Sequence, residues 1–509
     1  MARFPVIFLL RVRGGAISRA LEPFLEAGML GVEDIGVRLL SYGPAAEVEL
    51  HGERVRLEPD VLIALEGIGT FMGVSMAERY EELLRSGRDL GKTVSAFHRE
   101  STRRGHASLA TSLMLQFEVG RCSRVASMLL VSPAFGSYLQ ESQRRSIVRR
   151  GGFFVPSRIA GNNELRSAYS KAIEASYEAY SRLVDEGVEL EDARYILPLA
   201  STVSLFMSGS LETFLGLLVD AWRYGRDSPW YPEELSVIGE KIGEAVRSIA
   251  PLLTEARLRF RVRLPTYPYA NPYREAGGLV ESFVESHGAG NPVMLSFISL
   301  IDQPGLARES LEDPAKAHAL SPLIQAIFLE PMSLAAYHQA IRHRTVPTAV
   351  ESIYSAAERC VLEPEQNLII PPKIAKDERL VNLFMEAAAS LLETYEKLIE
   401  SGAYPSDAVY LIPQATRIYA VRSYNGFNLL WPQGFIATRT CSTSQWEVRR
   451  IAYEIWRQVG EKARWLGELI GEKCRHLGYC PERKWCPIIL KYRSYDDEEH
   501  KGSLENGER

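Results

Sequence analysis

Cysteine is scarce in this chain. Six residues in 509 is far below the density of a disulfide-stapled secreted scaffold and points to a reducing, cytoplasmic setting. Long apolar runs are missing as well. The first, Pro5 to Leu10, is cut off by Arg11 and Arg13, well short of the roughly 20 residues that a bilayer span needs. It reads as a buried strand, and neither a signal peptide nor a membrane partner is expected. Nor is there an excess of positive charge. Lys and Arg number 59 against 64 Asp and Glu, for a net charge of -5 and a pI near 6.1. No broad basic field is available for duplex nucleic acid, so any phosphate site must be local. What the chain does have is apolar side chains: 46% hydrophobic residues suffice for large cores and at least two domains, and they exclude disordered and fibrous classes.

The chain also repeats itself. Setting Pro156 to Pro198 against Pro371 to Pro413 without a gap, an offset of 215, gives 13 identities in 43 positions, where composition alone would give about 3. They include Tyr180/Tyr395, Gly187/Gly402, Asp192/Asp407 and Tyr195/Tyr410. An offset this long means two whole domains rather than solenoid units of about 20 to 50 residues. Helical spacing of apolar residues predicts long helices from Leu165 to Leu183 and from Leu380 to Leu398, with Gly187 and Gly402 as C-caps. Further helices are expected over Glu233 to Leu253 and Ser444 to Leu469. Val37 to Tyr42 and Arg257 to Leu264 read as strands opening the two halves. The mixture is α+β. A Pro- and Tyr-rich stretch, Leu264 to Tyr273, places the boundary near residue 255, giving domains 1–255 and 256–492 and a solvated tail 493–509.

Candidate chemistry sits in corresponding segments of the halves. In the first, Gly105-His106-Ala107-Ser108 precedes an apolar run, and Ser137 to Arg145 follows, with Glu141-Ser142. In the second, Arg342-His343-Arg344 is followed by Glu351-Ser352. Two guanidinium forks and an imidazole within three residues suit a phosphate or an anionic ring, although a solvated basic turn reads the same way.

These residues resemble the flavin-dependent thymidylate synthases, whose signature runs Arg-His-Arg, then spaced Ser, Asn-Glu, Ser and Arg-Tyr, after a Gly-His-x-Ser segment. Arg342, His343, Arg344 and Ser352 match its opening and later serine. Ser137, Ser142 and Arg144 match its serines and nucleotide-binding arginine, and Gly105 to Ser108 matches the upstream segment. Downstream, Asn425, Arg439, Gln445, Glu447 and Arg449 match the Asn-x-Arg and Arg…Gln-x-Glu-x-Arg elements. The departures are Pro347, Ala349, Val350, Tyr354 and Phe427 in the second half, and Ser132, Pro133 and Ala134 in place of Arg-His-Arg in the first. The resemblance implies two tandem thymidylate-synthase-complementing-type domains, each an antiparallel sheet flanked by helices. It implies methylation of dUMP to dTMP with FAD, methylenetetrahydrofolate and NADPH.

By that resemblance Arg439 is the catalytic residue, acting at the uracil carbonyl. Arg342, His343, Arg344, Asn425 and His106 bind flavin, and Ser137, Ser142, Arg144, Ser352 and Gln445 bind the nucleotide. The family's shared active sites imply a homodimer acting as a pseudo-tetramer, in which each half keeps what the other has lost. A silent flavin- or nucleotide-binding paralogue, serving as a structural or regulatory subunit, is the alternative. Separately, Cys441, Cys474, Cys480 and Cys486 bring four sulfurs into the last seventy or so residues. Such a set suits Zn or an iron–sulfur cluster, or else unligated thiols or a disulfide.

Overall fold

A computed structural model describes residues 28–50, 53–148, 152–261, 269–301, 303–482 and 486–493. The strand expected at Pro5 to Leu10 and the tail beyond 493 lie outside the described residues. The chain forms two compact units, each discontinuous. The first comprises described residues of Met1–Glu178, Pro198–Pro268 and Thr394–Leu411; the second comprises those of Ala179–Leu197, Tyr269–Glu393 and Ile412–Arg509. The division therefore differs from a single cut near 255. At the offset of 215, Ala179–Leu197 and Thr394–Leu411 are the equivalent segments of the two repeats, and each is packed into the unit built mainly from the other.

In the first unit, strands β1 (Gly36–Gly43), β2 (Met114–Ser123), β3 (Gly136–Gln140) and β4 (Thr202–Ser210) form an antiparallel sheet in the order β1-β2-β4-β3. Leu115, Phe117 and Val119 alternate inward along β2 and are buried, the period-2 signature of a half-buried strand. The expected strand from Arg257 is instead the helix Pro251–Arg261. Its apolar residues Leu253 and Ala256 are buried and Arg257 pairs with Glu212 at 2.7 Å, so tertiary burial overrides local strand propensity. The helix expected from Glu233 stops at Arg247 before Pro251 begins the next, as the residue before a proline is disfavoured in helix.

In the second unit, β5 (Val293–Ser299), β6 (Ile324–Ser333), β7 (Thr348–Val350) and β8 (Arg417–Asn425) repeat the order as β5-β6-β8-β7, all antiparallel. The duplicated helices span Asn163–Asp185 and Glu378–Glu400. Each ends on a left-handed glycine, Gly187 at φ 77° and Gly402 at φ 82°. A backbone bond from Val188 N to Leu183 O, and its equivalent from Ala403 N to Leu398 O, close the turn, the glycine-terminated cap the spacing predicted. Among the described residues no single helix is long and apolar enough to cross a membrane.

Each unit buries a hydrogen-bonded carboxylate in the first turn of a helix, Glu234 in Glu233–Arg247 and Glu447 in Trp446–Lys462. Glu234 accepts from Ser123 N at 2.7 Å, Ser123 Oγ at 2.5 Å and the Tyr410 hydroxyl at 3.1 Å. Glu447 accepts from Ser333 N at 2.7 Å, Ser333 Oγ at 2.6 Å and the Tyr195 hydroxyl at 2.7 Å. Both tyrosines are supplied by the exchanged segments. Burial pushes the Glu234 carboxyl up to about 7, against the three donors that favour its charged form. The native state thus holds this proton between the ordinary carboxyl range and pH 7, where the unfolded chain does not. This group's contribution to stability falls as pH rises through that window.

Tyr410→Phe removes a donor to the charged form. It should destabilise the first unit by about 1–2 kcal/mol, with the larger drop in melting temperature at pH 8 than at pH 6. Equal losses at both pH values would show that the phenol does not bond the carboxylate.

Candidate functional site

The second unit gathers its candidate residues around one turn and one broken helix. In the first unit β4 runs into an unbroken helix, Leu211–Tyr224. In the second, β8 runs into Gly426–Leu430, then Trp431-Pro432-Gln433-Gly434, then Phe435–Arg439. Pro432 cannot continue the first piece. Gly434 lets the chain fold back so closely that an added Cβ would lie 2.2 Å from Phe427 O. The break is what sets Arg439 at the end of a new short helix rather than along a continuous one.

Arg342, His343 and Arg344 follow the helix Leu334–Ala340, whose end is fastened by Arg422. That fully buried side chain donates to Ala340 O at 3.2 Å and to Glu330 at 2.9 Å, and stacks 4.8 Å over the Phe435 ring. His343 packs edge-on against the same ring, 4.9 Å between centroids. Its Nε2 accepts a hydrogen bond from Arg439 Nε. Burial first, then the positive charges of Arg439, Arg422, Arg344 and Arg342, hold the imidazole well below its ordinary range. His343 is therefore neutral, and an acceptor at Nε2 requires the proton on Nδ1.

Asn425 reaches the same turn by a relay. Its Oδ1 caps Gly426–Leu430 by accepting from Asn428 N at 3.1 Å and also takes Asn428 Nδ2 at 2.8 Å. Asn428 in turn donates to Thr345 O at 3.0 Å and accepts from Thr345 Oγ1 at 2.9 Å. Thus Arg342, His343, Arg344, Asn425 and Arg439 come together in one unit, linked through Thr345, Asn428 and Phe435, which motif matching did not single out. An Asn three residues after a helix-capping Asn was the visible signal.

Two of the expected nucleotide contacts also hold positions in the fold. Ser352 is buried, caps Ile353–Leu362 by accepting from Tyr354 N at 3.3 Å, and donates to Arg274 O at 2.6 Å. Gln445 is buried, accepts from Val448 N at 3.0 Å as the cap of Trp446–Lys462, and donates to the Tyr195 hydroxyl. Both ends of its amide are used. In the first unit, Ser137 lies exposed on β3 opposite Ser208. Ser142 begins a turn, its carbonyl accepting from Arg145 N at 3.1 Å and Ser146 N at 3.0 Å, and Arg144 sits within that turn. His106 is exposed on a different segment, 6.4 Å from the Phe71 ring. Cys441, Cys474, Cys480 and Cys486 line one pocket in the second unit, and none is in a disulfide. Among the described residues no three His, Cys, Asp or Glu side chains stand in ligating positions.

The chain is similar to several known proteins. A flavin-dependent thymidylate synthase of Pyrococcus abyssi is 29% identical over 197 residues, covering 35% of this chain and 77% of the relative. One from Geobacter sulfurreducens is 29% identical over 201 residues, covering 38% and 81%, and one from Pyrococcus furiosus is 27% identical, covering 31% and 65%. A UMP/dUMP methylase, PolB, from Streptomyces cacaoi, solved with 5-Br UMP, aligns with TM-score 0.33 and 19% identity over 46% of this chain and 97% of that one. The family profile of the thymidylate synthase complementing protein matches twice, at residues 68–252 and 308–463. The chain therefore belongs to the thymidylate synthase complementing protein family, with the family's α+β domain present in two tandem copies.

Proposed function

We propose that this chain methylates C5 of dUMP to give dTMP, with FAD held by the second unit, methylenetetrahydrofolate as the carbon source and NADPH as the reductant. The observation that carries the reading is the contact between Arg439 and a neutral His343 inside a group of arginines joined to Asn425. The donor set fits a flavin. Arg342 and Arg344 offer fixed cations for its pyrophosphate and polar ring edge, and Asn425 holds the adjoining turn. When bound, FAD supplies reducing equivalents for the methyl transfer, chemistry that no side chain here provides.

Arg439 works by orientation. With Nε committed to His343, the guanidinium plane is fixed. A fixed cation beside a uracil carbonyl stabilises the negative charge that grows there as C5 becomes nucleophilic, without reorganising during the reaction. His343 must stay neutral for this, because a protonated imidazole has no acceptor to offer. Activity should therefore fall at acid pH, with a midpoint below the ordinary histidine value. No protein thiol is needed: Cys122 and Cys360 are buried, with burial raising both.

Ser132, Pro133 and Ala134 stand where the first unit would need Arg-His-Arg, so the Arg-His-Arg part of the flavin site is assigned to the second unit alone. Ser137, Ser142 and Arg144 retain the phosphate-binding pattern and would serve a nucleotide through self-association, a homodimer being the smallest such assembly. His106 joins that reading as an exposed flavin contact from a second copy. Ser352 and Gln445 act as helix caps and touch the nucleotide only through the elements they hold.

The absorbance spectrum of the purified protein and tritium release from C5-labelled dUMP test the proposal directly. A flavin spectrum bleached by NADPH, with tritium release, is the expected result. Bound flavin without tritium release would leave the silent-paralogue reading standing. Arg344→Ala should lose flavin on gel filtration. Arg439→Ala should keep flavin and lower turnover by about 10²- to 10³-fold, the loss typical of one charge-stabilising donor. Arg144→Ala should weaken dUMP binding by about 1.5–3 kcal/mol, and unchanged affinity would remove the first unit from nucleotide recognition.

A further inference from the structure

The four late cysteines differ from the other two in where they sit. Cys122 lies in β2, its thiol donating to Val203 O at 3.4 Å, and Cys360 lies in a helix beside Thr416 Oγ1 at 3.6 Å. Each behaves as a small core residue. Cys474, Cys480 and Cys486 instead pack on one another and on Ile489, at a place where a chain of ordinary composition would put leucine or valine. Cys441 comes to the same pocket from the loop just after Arg439.

The local backbone serves this convergence. Cys474 is in the short helix Lys473–Leu477, which ends on left-handed Gly478 at φ 75°, closed by Gly478 N to Cys474 O at 3.0 Å. The chain turns there and returns Cys480 to the pocket. Cys486 follows, and its sulfur accepts from Ile489 N at 3.5 Å. Lys473, Glu472 and Glu482 also line the pocket, Lys473 pairing with Glu482 at 3.9 Å. The pocket holds space for a water-sized centre of about 20 Å³, enough for a single ion.

We infer that Cys441, Cys474, Cys480 and Cys486 form a structural site for one zinc ion, which fastens the C-terminal segment to the loop between Arg439 and Gln445. Four sulfur ligands with no water position make a closed site with no catalytic role. Since no three of these side chains stand in ligating positions, capture of the ion requires the thiols to move inward. Each ligand binds as thiolate, so loading releases protons to solvent and no electrons are exchanged. The ligand chemistry is independent of flavin and nucleotide, so the site stands or falls separately from the activity proposed above.

Metal analysis of the full chain, purified under reducing conditions without chelator, should find about one zinc per chain. Growth with cobalt should give the intense visible bands of a tetrahedral cobalt–thiolate centre. Cys480→Ser and Cys486→Ser should each lose most of the metal, while Cys122→Ser keeps it. Because a serine variant could fail to fold, the wild-type cobalt spectrum and its loss to a strong chelator provide a measurement that needs no variant. Absence of metal with all late thiols open to alkylation would overturn the inference, as would a disulfide among them in the native chain. Iron in place of zinc, with a red or brown spectrum, would overturn the assignment of the ion.

Discussion

A buried carboxylate must find donors or lose its charge, and in each unit of this protein that requirement is met by residues far apart in sequence. Glu447 draws the end of β6, through Ser333, and a tyrosine from the first repeat to the start of the helix Trp446–Lys462. Gln445, beside it, is held to the same tyrosine. With that helix start fixed, the loop back to Arg439 has little freedom. The rest of the site is assembled against it: the broken helix that ends in Arg439, the ring of Phe435, and the Arg-His-Arg turn on the other side. Such a carboxylate is costly to bury and strongly destabilising to leave unpaired, so its value lies in specifying one arrangement more than in raw stability.

The two units share this frame yet differ in what they hang on it. In the second unit the Glu330–Arg422 pair, both members fully buried, supports the turn that carries His343. By the sheet registers, Val119 opposite Leu205 stands where Glu330 faces Ala420, and Met207 stands where Arg422 does. Two apolar side chains remove the buried charges together, which avoids the penalty of losing only one. The loss of Arg-His-Arg in the first unit is therefore accompanied by loss of its support. By contrast the Ser–Glu–Tyr clamp survives in both units, as expected of a feature on which the core depends.

Much of this was legible in the sequence. The duplication, the two long helices and their glycine caps follow from spacing alone, and the composition of Arg342 to Arg344 marked the turn. The strand expected from Arg257 failed because an apolar and charged alternation reads as strand until a partner such as Glu212 is known. Ser352 and Gln445 match the family pattern for ligand contacts; the same residue types suit helix starts, and the packing shows that both are caps. The links through Asn428, Thr345 and Phe435 lie outside any motif, since their meaning depends on a close approach permitted by Gly434. Exchange of equivalent segments between units could not be read at all, because both copies carry nearly the same tyrosine-containing sequence and local pattern gives no preference.

That exchange bears on how the protein is made. Residues Thr394–Leu411 complete the first unit, so its interior stays open while well over a hundred further residues leave the ribosome. The usual order, in which an amino-terminal domain closes first and shelters while the remainder is synthesised, is denied to this chain. The seat of Tyr410 stays unfilled until that segment has been made.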